Sequence, residues 1–374
     1  MRRLHVLVLE PFGGGSHASF YEGWQRYSAH QFQVLHLPAV HWKWRSRHAG
    51  LTFALRLEEA NLESPPDIVF CSDMLNLAEW KGIADSRYAS LPAIAYFHEN
   101  QFTYPLSAGE KRDYHLAYNN VLTAICANQI WFNSEFHRNE FADAAQAWLR
   151  KMPDFSHGEH FDQAIQKSRI CYPGINPVPT TQASLKPRHP VIGWVARWEH
   201  DKRPDVFLQA LTELRRQGQD FQLCLLGQAF QNQHPAYDRI QQEFANQIIH
   251  CGYASSPEEY WQRLSDIDIV VSTADHEFFG IGILEAVAAG AIPVVPNRLA
   301  YPEVFANFGA NIVATCTYDS VDDLVNTLAR WIAQHPDKPI DTIPLQEIAV
   351  RQFHWQQQAR EYDQLLVEVE EAVR

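Results

Sequence analysis

Two carboxylates and two cations hold most of the chemical promise of this 374-residue chain. Glu277 and Glu285 flank a Phe278-Phe279-Gly280 turn, and Arg197 is followed by Lys202 across Trp-Glu-His-Asp. Cations at a strand's carboxyl end, beside the start of a helix, form an anion site. Glu285 falls in IGILEAVAA, where most positions are apolar, so its carboxylate needs hydrogen-bond donors or loses roughly several kcal/mol to desolvation. Ligand hydroxyls would supply those donors. The plainer alternative makes Glu285 part of a thin solvated stripe and Glu277 a loop charge. A third group follows the apolar run PAIAYF: His98, Glu99, Asn100 and Gln101 in a row, with Tyr104 beyond. Four polar side chains after a buried strand rarely serve packing.

The elements that must position these groups alternate between strand and helix. DIDIVVST (266–273) reads as a buried strand, followed by a turn with Asp275, His276 and Glu277, a helix closed by Gly290, and the strand AIPVV. This is a βαβ unit, and in such sheets ligands gather at strand carboxyl ends and the helix starts beyond them. VIGWVAR delivers Arg197 in the same way, Asp201 lies in the N-cap region, and Arg203 and Pro204 open the next helix. Near the start, LHVLVLEPF (4–12) runs into GGGSHASFYEGWQRYS. Gly13, Gly14 and Gly15 permit positive φ and close approach to a ligand, and Ser16 can cap the helix. The dinucleotide GxGxxG pattern is lacking.

FQVLHLPA (32–39) is a second strand, and HWKWRSRHAG reads as a loop in which Lys43, Arg45 and Arg47 interleave with Trp42 and Trp44. Cations with exposed aromatics can hold phosphates and stack on bases, although tryptophans packed inward would give the same pattern. LTFALRLEEA is a helix, DIVFCSD a strand ending at Asp73, residues 114–127 a helix, and Ser134 an N-cap. Residues 176–190, rich in proline, read as a linker between a domain at 1–175 and one at 191–350. A long helix ends the chain, its residues 351–374 expected to brace the N-terminal domain.

Composition limits the classes open to the chain. Apolar residues make up 46% and charged residues 20%, which suits an ordered enzyme. Lys+Arg minus Asp+Glu is 31 − 44 = −13, which argues against a broad nucleic-acid surface but not a local one. The six cysteines lack CxxC or Cys/His spacing, so no zinc site is expected and a reduced, cytoplasmic protein is. No apolar run is long enough to span a membrane, and the opening MRRLHVLVLE reads as a first strand rather than a signal peptide.

The Glu277–Glu285 pair, the Phe-Gly turn, the GAIPVV strand and the Pro-Glu-Val after it resemble the donor-sugar signature of retaining GT-B glycosyltransferases. Arg197 and Lys202 match the diphosphate clamp of the same enzymes. That resemblance implies an α/β fold of two Rossmann-like domains facing each other across a cleft. EPFGGGSH, SDMLNLAEW, YFHENQFTYP, YNNVLTA and FNSEFHR further resemble the tRNA-queuosine alpha-mannosyltransferase family. The resemblance implies GDP-mannose as donor, queuosine in a tRNA anticodon loop as acceptor, retention of configuration and no obligate metal. It assigns Gly14, Gly15, Arg197, Lys202, Glu277, Phe279, Gly280 and Glu285 to the donor. His17, Glu99, Asn100, Gln101, Lys43, Arg45 and Arg47 go to the acceptor, and His98, Glu277, Arg197 and Lys202 to catalysis. A glycan, lipid or metabolite acceptor, or a catalytically silent binding module, stays open as an alternative. A hydrolase pair made of Glu277 and Glu285 would leave Arg197 and Lys202 unexplained.

Overall fold

The computed structural model describes residues 2–60, 62, 64–106, 109–177, 189–228, 234–334 and 343–374, so most of the expected linker lies outside the described residues. The chain divides into two compact units, Met1–Gly174 with Trp355–Arg374, and Ile175–His354.

The first unit is built on six parallel strands, β1 (His5–Glu10), β2 (Gln31–His36), β3 (Ile68–Ser72), β4 (Ala93–Phe97), β5 (Gln129–Phe132) and β6 (Arg169–Ile170), in the order β2-β1-β3-β4-β5-β6. Every residue of β3 and β4 is buried, as expected of parallel strands covered on both faces. The alternation of β1 sends Leu7 and Leu9 to one core with Phe53, Trp80 and Phe97. Val6 and Val8 go to the other, with Phe20, Trp24 and Trp131. The final helix, Trp355–Val373, packs in this second core through Trp355 and Tyr362. Asp363 ties it to the first helix, Gly15–Tyr27, accepting from Trp24 Nε1 at 3.0 Å, Ser28 Oγ at 2.6 Å and the Ala29 amide at 2.7 Å. Gly23 has to be glycine, because a Cβ there would lie 2.2 Å from the Trp355 indole.

The second unit repeats the scheme with β7 (Val191–Val195), β8 (Gln222–Leu226), β9 (Ile248–Gly252), β10 (Ile269–Val271), β11 (Ile292–Pro296) and β12 (Thr317–Tyr318), in the order β12-β11-β10-β7-β8-β9. Both sheets reverse their winding once, between β1 and β3 in the first unit and between β7 and β10 in the second. At such a point successive connections leave toward opposite faces and open a crevice at the carboxyl ends of the strands.

Four local expectations change. The cation-rich stretch read as a loop is the start of a helix, Trp42–Ala60. Its buried residues Ala49, Gly50, Phe53, Ala54 and Leu57 follow the helical period, and the first turns extend that helix outward. The long C-terminal helix is two, Ile343–Phe353 and Trp355–Val373, interrupted where His354 bridges Ile175 and the Ile175 amide takes the Phe353 carbonyl at 2.7 Å. Ser16 caps nothing, since the helix already begins at Gly15. Of the three glycines before it, only Gly15 has positive φ (55°). Gly13 and Gly14 are needed for space, their Cβ positions falling 2.5 Å from His36 and 2.4 Å from Ala39.

Candidate active site

In the second unit, the loops after β7 and β10 meet at the reversal point. Lys202 ends a short 3-10 turn, His200–Lys202, and is buried. Its Nζ donates to the His276 carbonyl at 2.8 Å and lies 3.2 Å from Glu277 Oε2 and 3.0 Å from Asp201 Oδ2. Asp201 is therefore the partner of Lys202 and caps no helix; the following helix, Pro204–Arg216, has Arg203 at its N-cap with φ of 49°. The loop is pinned from several sides. Thr273 Oγ1 donates to the Lys202 carbonyl at 2.7 Å, the Asp275 amide to the Asp201 carbonyl at 2.8 Å, and Tyr301 OH to Ser272 Oγ at 2.7 Å. Burial raises the Glu277 pKa, but Lys202 and His276 overcome it and the carboxyl ends below its ordinary range. Burial likewise opposes ionisation of Asp201, and Lys202 again wins.

Arg197 projects from the end of β7, its side chain 52% exposed and 3.2 Å from Glu199 Oε2. Gly280, with φ of 84°, is the N-cap of helix Ile281–Ala288, and a Cβ there would lie 2.6 Å from the Tyr301 ring. Lys202, Glu277, Gly280, Gly282 and Tyr301 line a recess of about 30 Å³. Glu285, half-buried in the helix, accepts from Tyr260 OH at 2.7 Å. Burial drives its pKa up to about 7 against the opposing effect of that hydrogen bond. The Phe279 ring is buried 6.1 Å from Phe353, so it packs inward rather than facing a ligand.

In the first unit, His17, His98, Glu99, Asn100 and Gln101 come together at the ends of β1, β3 and β4. The His17 and His98 rings lie 4.0 Å apart with a 33° tilt. The amides of His98 and Glu99 donate to Asp73 Oδ1 at 2.9 and 3.4 Å, and Asn133 Nδ2 holds the His98 carbonyl at 2.9 Å. Asp73 is buried and its carboxyl is pushed well up, first by burial and then by Glu99. His98 is pushed well down by burial, and then by His17 and His137.

Two assignments fare differently at closer range. Asn100 is fully buried and its Oδ1 accepts the amides of Phe102 and Thr103, both at 3.0 Å, so its side chain builds the turn rather than facing a ligand. The amides of Gly13 and Gly14 are spent on the carbonyls of Leu37 and Phe12, leaving Gly15 and the first helical turn for an anion. Lys43 and Arg47 stand on the outer helix and pair with Glu110 at 3.1 Å and Asp113 at 2.5 Å, while Arg45 donates to the Pro38 carbonyl at 3.2 Å. Trp44 beside them is 60% exposed.

Glu10, Ser72 and Tyr260 join these groups without having been singled out from the chain. Glu10 and Ser72 had a legible signal, since both close strands as Asp73 follows one. Tyr260 had none, because its partner is 25 residues away.

Residues 5–175 match the family model described as the N-terminal part of tRNA-queuosine alpha-mannosyltransferase, and residues 180–341 match glycosyl transferases group 1. A tRNA-queuosine alpha-mannosyltransferase of Drosophila melanogaster is 34% identical over 315 residues, covering 80% of this chain and 81% of the relative. The chain belongs to the tRNA-queuosine alpha-mannosyltransferase family. It is a glycosyltransferase. Sucrose-phosphate synthase from Thermosynechococcus elongatus superposes with a TM-score of 0.73 at 14% identity, covering 99% of this chain and all of that one (100%). Anabaena HepE in complex with UDP gives 0.65 at 15% identity, covering 98% of this chain and 100% of the other. These likenesses establish the GT-B fold of two Rossmann-like domains.

Proposed function

We propose that this glycosyltransferase moves mannose from GDP-mannose, with retention of configuration, onto the cyclopentenediol of queuosine in a tRNA anticodon loop. The observation that carries the acceptor assignment is the match of residues 5–175 to a family-specific N-terminal model, beyond the general transferase match of the second half. The second unit supports the donor assignment through its Lys202–Glu277 pair at the sheet's reversal point.

Departure of a nucleoside diphosphate builds negative charge, and catalysis consists largely of stabilising it and positioning the acceptor. Arg197 and Lys202 neutralise the diphosphate, with the Gly280 region supplying backbone donors. Glu277, held ionised by Lys202, accepts from sugar hydroxyls, and Glu285 from the ribose. His98, neutral, orients the acceptor hydroxyl with Glu99 and Gln101. Lys43, Arg45 and Arg47 meet RNA phosphates. One observation favours a second reading, the same chemistry on another hydroxyl. Lys43 and Arg47 already have carboxylate partners, in a chain of net charge −13.

The deciding experiment offers a panel of nucleotide sugars with queuosine-containing tRNA and with the same tRNA lacking queuosine. Transfer from GDP-mannose to the modified tRNA alone is expected. Equal transfer to both would remove the queuosine assignment and leave the glycosyltransferase.

A further inference from the structure

Glu10 ends β1 with 3% of its surface exposed, and each oxygen is committed. Oε1 accepts the Phe12 amide at 2.8 Å and Ser72 Oγ at 3.0 Å, so the carboxylate spans the reversal point between β1 and β3. Oε2 lies 3.2 Å from Nδ1 of His17, itself buried in the first turn of its helix. The approach is an ion pair off the ideal hydrogen-bonding direction. Glu10, His17 and His98 bring one ligand atom each within 4.8 Å of the others. Sharing a proton between Glu10 and His17 is the simplest way to satisfy that grouping.

Stability does not call for such a pair. Desolvating two charges costs several kcal/mol, and well-packed apolar residues in their place are often neutral or stabilising. Its location is where a sheet of this winding receives ligands. The charged and titratable groups around His17 are Glu10 at the end of β1, Asp73 after β3, and His98 and Glu99 after β4, with His137 acting on His98 from helix Glu135–Leu149. Burial opposes the imidazolium, but Glu10 outweighs it, with smaller help from Asp73 and Glu99, and His17 rises to about 9. The neighbouring His98 moves the other way. The two adjacent imidazoles are thus shifted in opposite directions, His17 toward the cation and His98 toward the neutral ring.

We propose that Glu10 is a positioning residue for glycosyl transfer: it fixes the His17 ring and keeps it cationic, so that His17 offers a charged N–H to a phosphate oxygen of the substrate while neutral His98 beside it offers a proton-accepting nitrogen. The phosphate belongs either to the nucleotide sugar or to the RNA. The proposal rests on the glycosyl-transfer reading above, but its first test needs no substrate.

Imidazole ¹⁵N spectra of the full chain, followed with pH, read the His17 charge directly. The wild type is expected to keep His17 protonated to about pH 9, whereas Glu10→Gln leaves a buried ring without its carboxylate and neutral at pH 8. The second test is kcat/KM against pH for mannose transfer to queuosine tRNA. With a ring pKa near the ordinary histidine value of about 6.5, the imidazolium population at pH 8 falls about thirtyfold, and kcat/KM with it. The loss should shrink toward pH 6, and Glu10→Asp should restore most of it. Titrations of GDP and of tRNA into Glu10→Gln identify the phosphate by which affinity drops. A wild-type His17 that is neutral at pH 7, or a loss in Glu10→Gln that is the same at every pH, overturns the proposal. If Glu10→Gln does not fold, the wild-type titration still decides. A protonated His17 in an enzyme that transfers nothing to tRNA would instead fault the acceptor assignment.

Discussion

Tyr260 OH donates to Glu285 Oε2 at 2.7 Å from the helix Pro257–Ser265. Among the described residues, this bond is the one hydrogen bond to a carboxyl whose burial pushes it up to about 7. If ribose hydroxyls donate to Glu285, they need it ionised. Nucleoside-diphosphate affinity should therefore rise with pH between about 6 and 8 in the wild type, and the rise should move to higher pH in Tyr260→Phe. Calorimetric titrations across that range check it, and a pH-independent affinity in both proteins would detach Glu285 from the ribose.

Glu285 also predicts a stability change. Its folded pKa lies above the unfolded value near 4.5, so its stabilising contribution is full below that value and is lost as pH rises through about 7. Glu285→Gln should flatten the decline in stability between those limits, as read by urea midpoints at constant m. An unchanged slope would mean that the carboxyl titrates normally.

Arg197 and Lys202 should separate on mutation. Arg197→Ala removes an exposed cation and should weaken nucleoside-diphosphate binding with little change in melting temperature. Lys202→Ala strands Glu277 and Asp201 without their shared cation and should cost about 3–5 kcal/mol of stability besides the binding loss. Melting curves and calorimetry on both variants distinguish them. Equal thermal stability would show that Lys202 is not the structural centre of this loop.

Glu277→Gln should reduce sugar transfer by about tenfold or more while changing bare nucleoside-diphosphate affinity far less, because the role assigned to Glu277 is to the sugar. Glu277 and Asp201 have depressed folded values, so their stabilisation is present above the ordinary carboxylate range and lost as pH falls through those values. The variant should soften acid unfolding. Both readouts come from one protein preparation, by steady-state kinetics and acid titration of the far-ultraviolet signal.

The ion pairs of Lys43 with Glu110 and Arg47 with Asp113 are exposed, worth at most about 1 kcal/mol each, and open to displacement by phosphate. Replacing Lys43, Arg45 and Arg47 by Ala should leave stability nearly unchanged and reduce the salt dependence of tRNA binding by up to about three contacts' worth of slope. Glu110→Gln should tighten tRNA binding by freeing Lys43. Filter binding across a salt series tests both, and a wild-type slope in the triple variant would move the RNA contact elsewhere.

Alternation of apolar runs with helical periods made both parallel sheets legible, because a strand buried on both faces leaves a continuous apolar signature that neighbouring residues write themselves. The same local logic exposed Arg197, Lys202, Glu277 and His98, which lie in the segments between a strand and the next helix. Tertiary structure decided what those residues touch. Lys202 and Glu277 are far apart in the chain, and only the placement of β10 beside β7 brings them to 3.2 Å. Asn100 reads as a ligand group but turns inward, since the amides of Phe102 and Thr103 needed an acceptor that no strand supplied. Glu10 reads as the end of a strand and becomes a buried counter-ion once β3 and the first helix close around it. Residue type and spacing encode which elements form, because those forces act along the chain. Charge state and partnership depend on burial and on neighbours across the sheet, which exist only after the chain has folded.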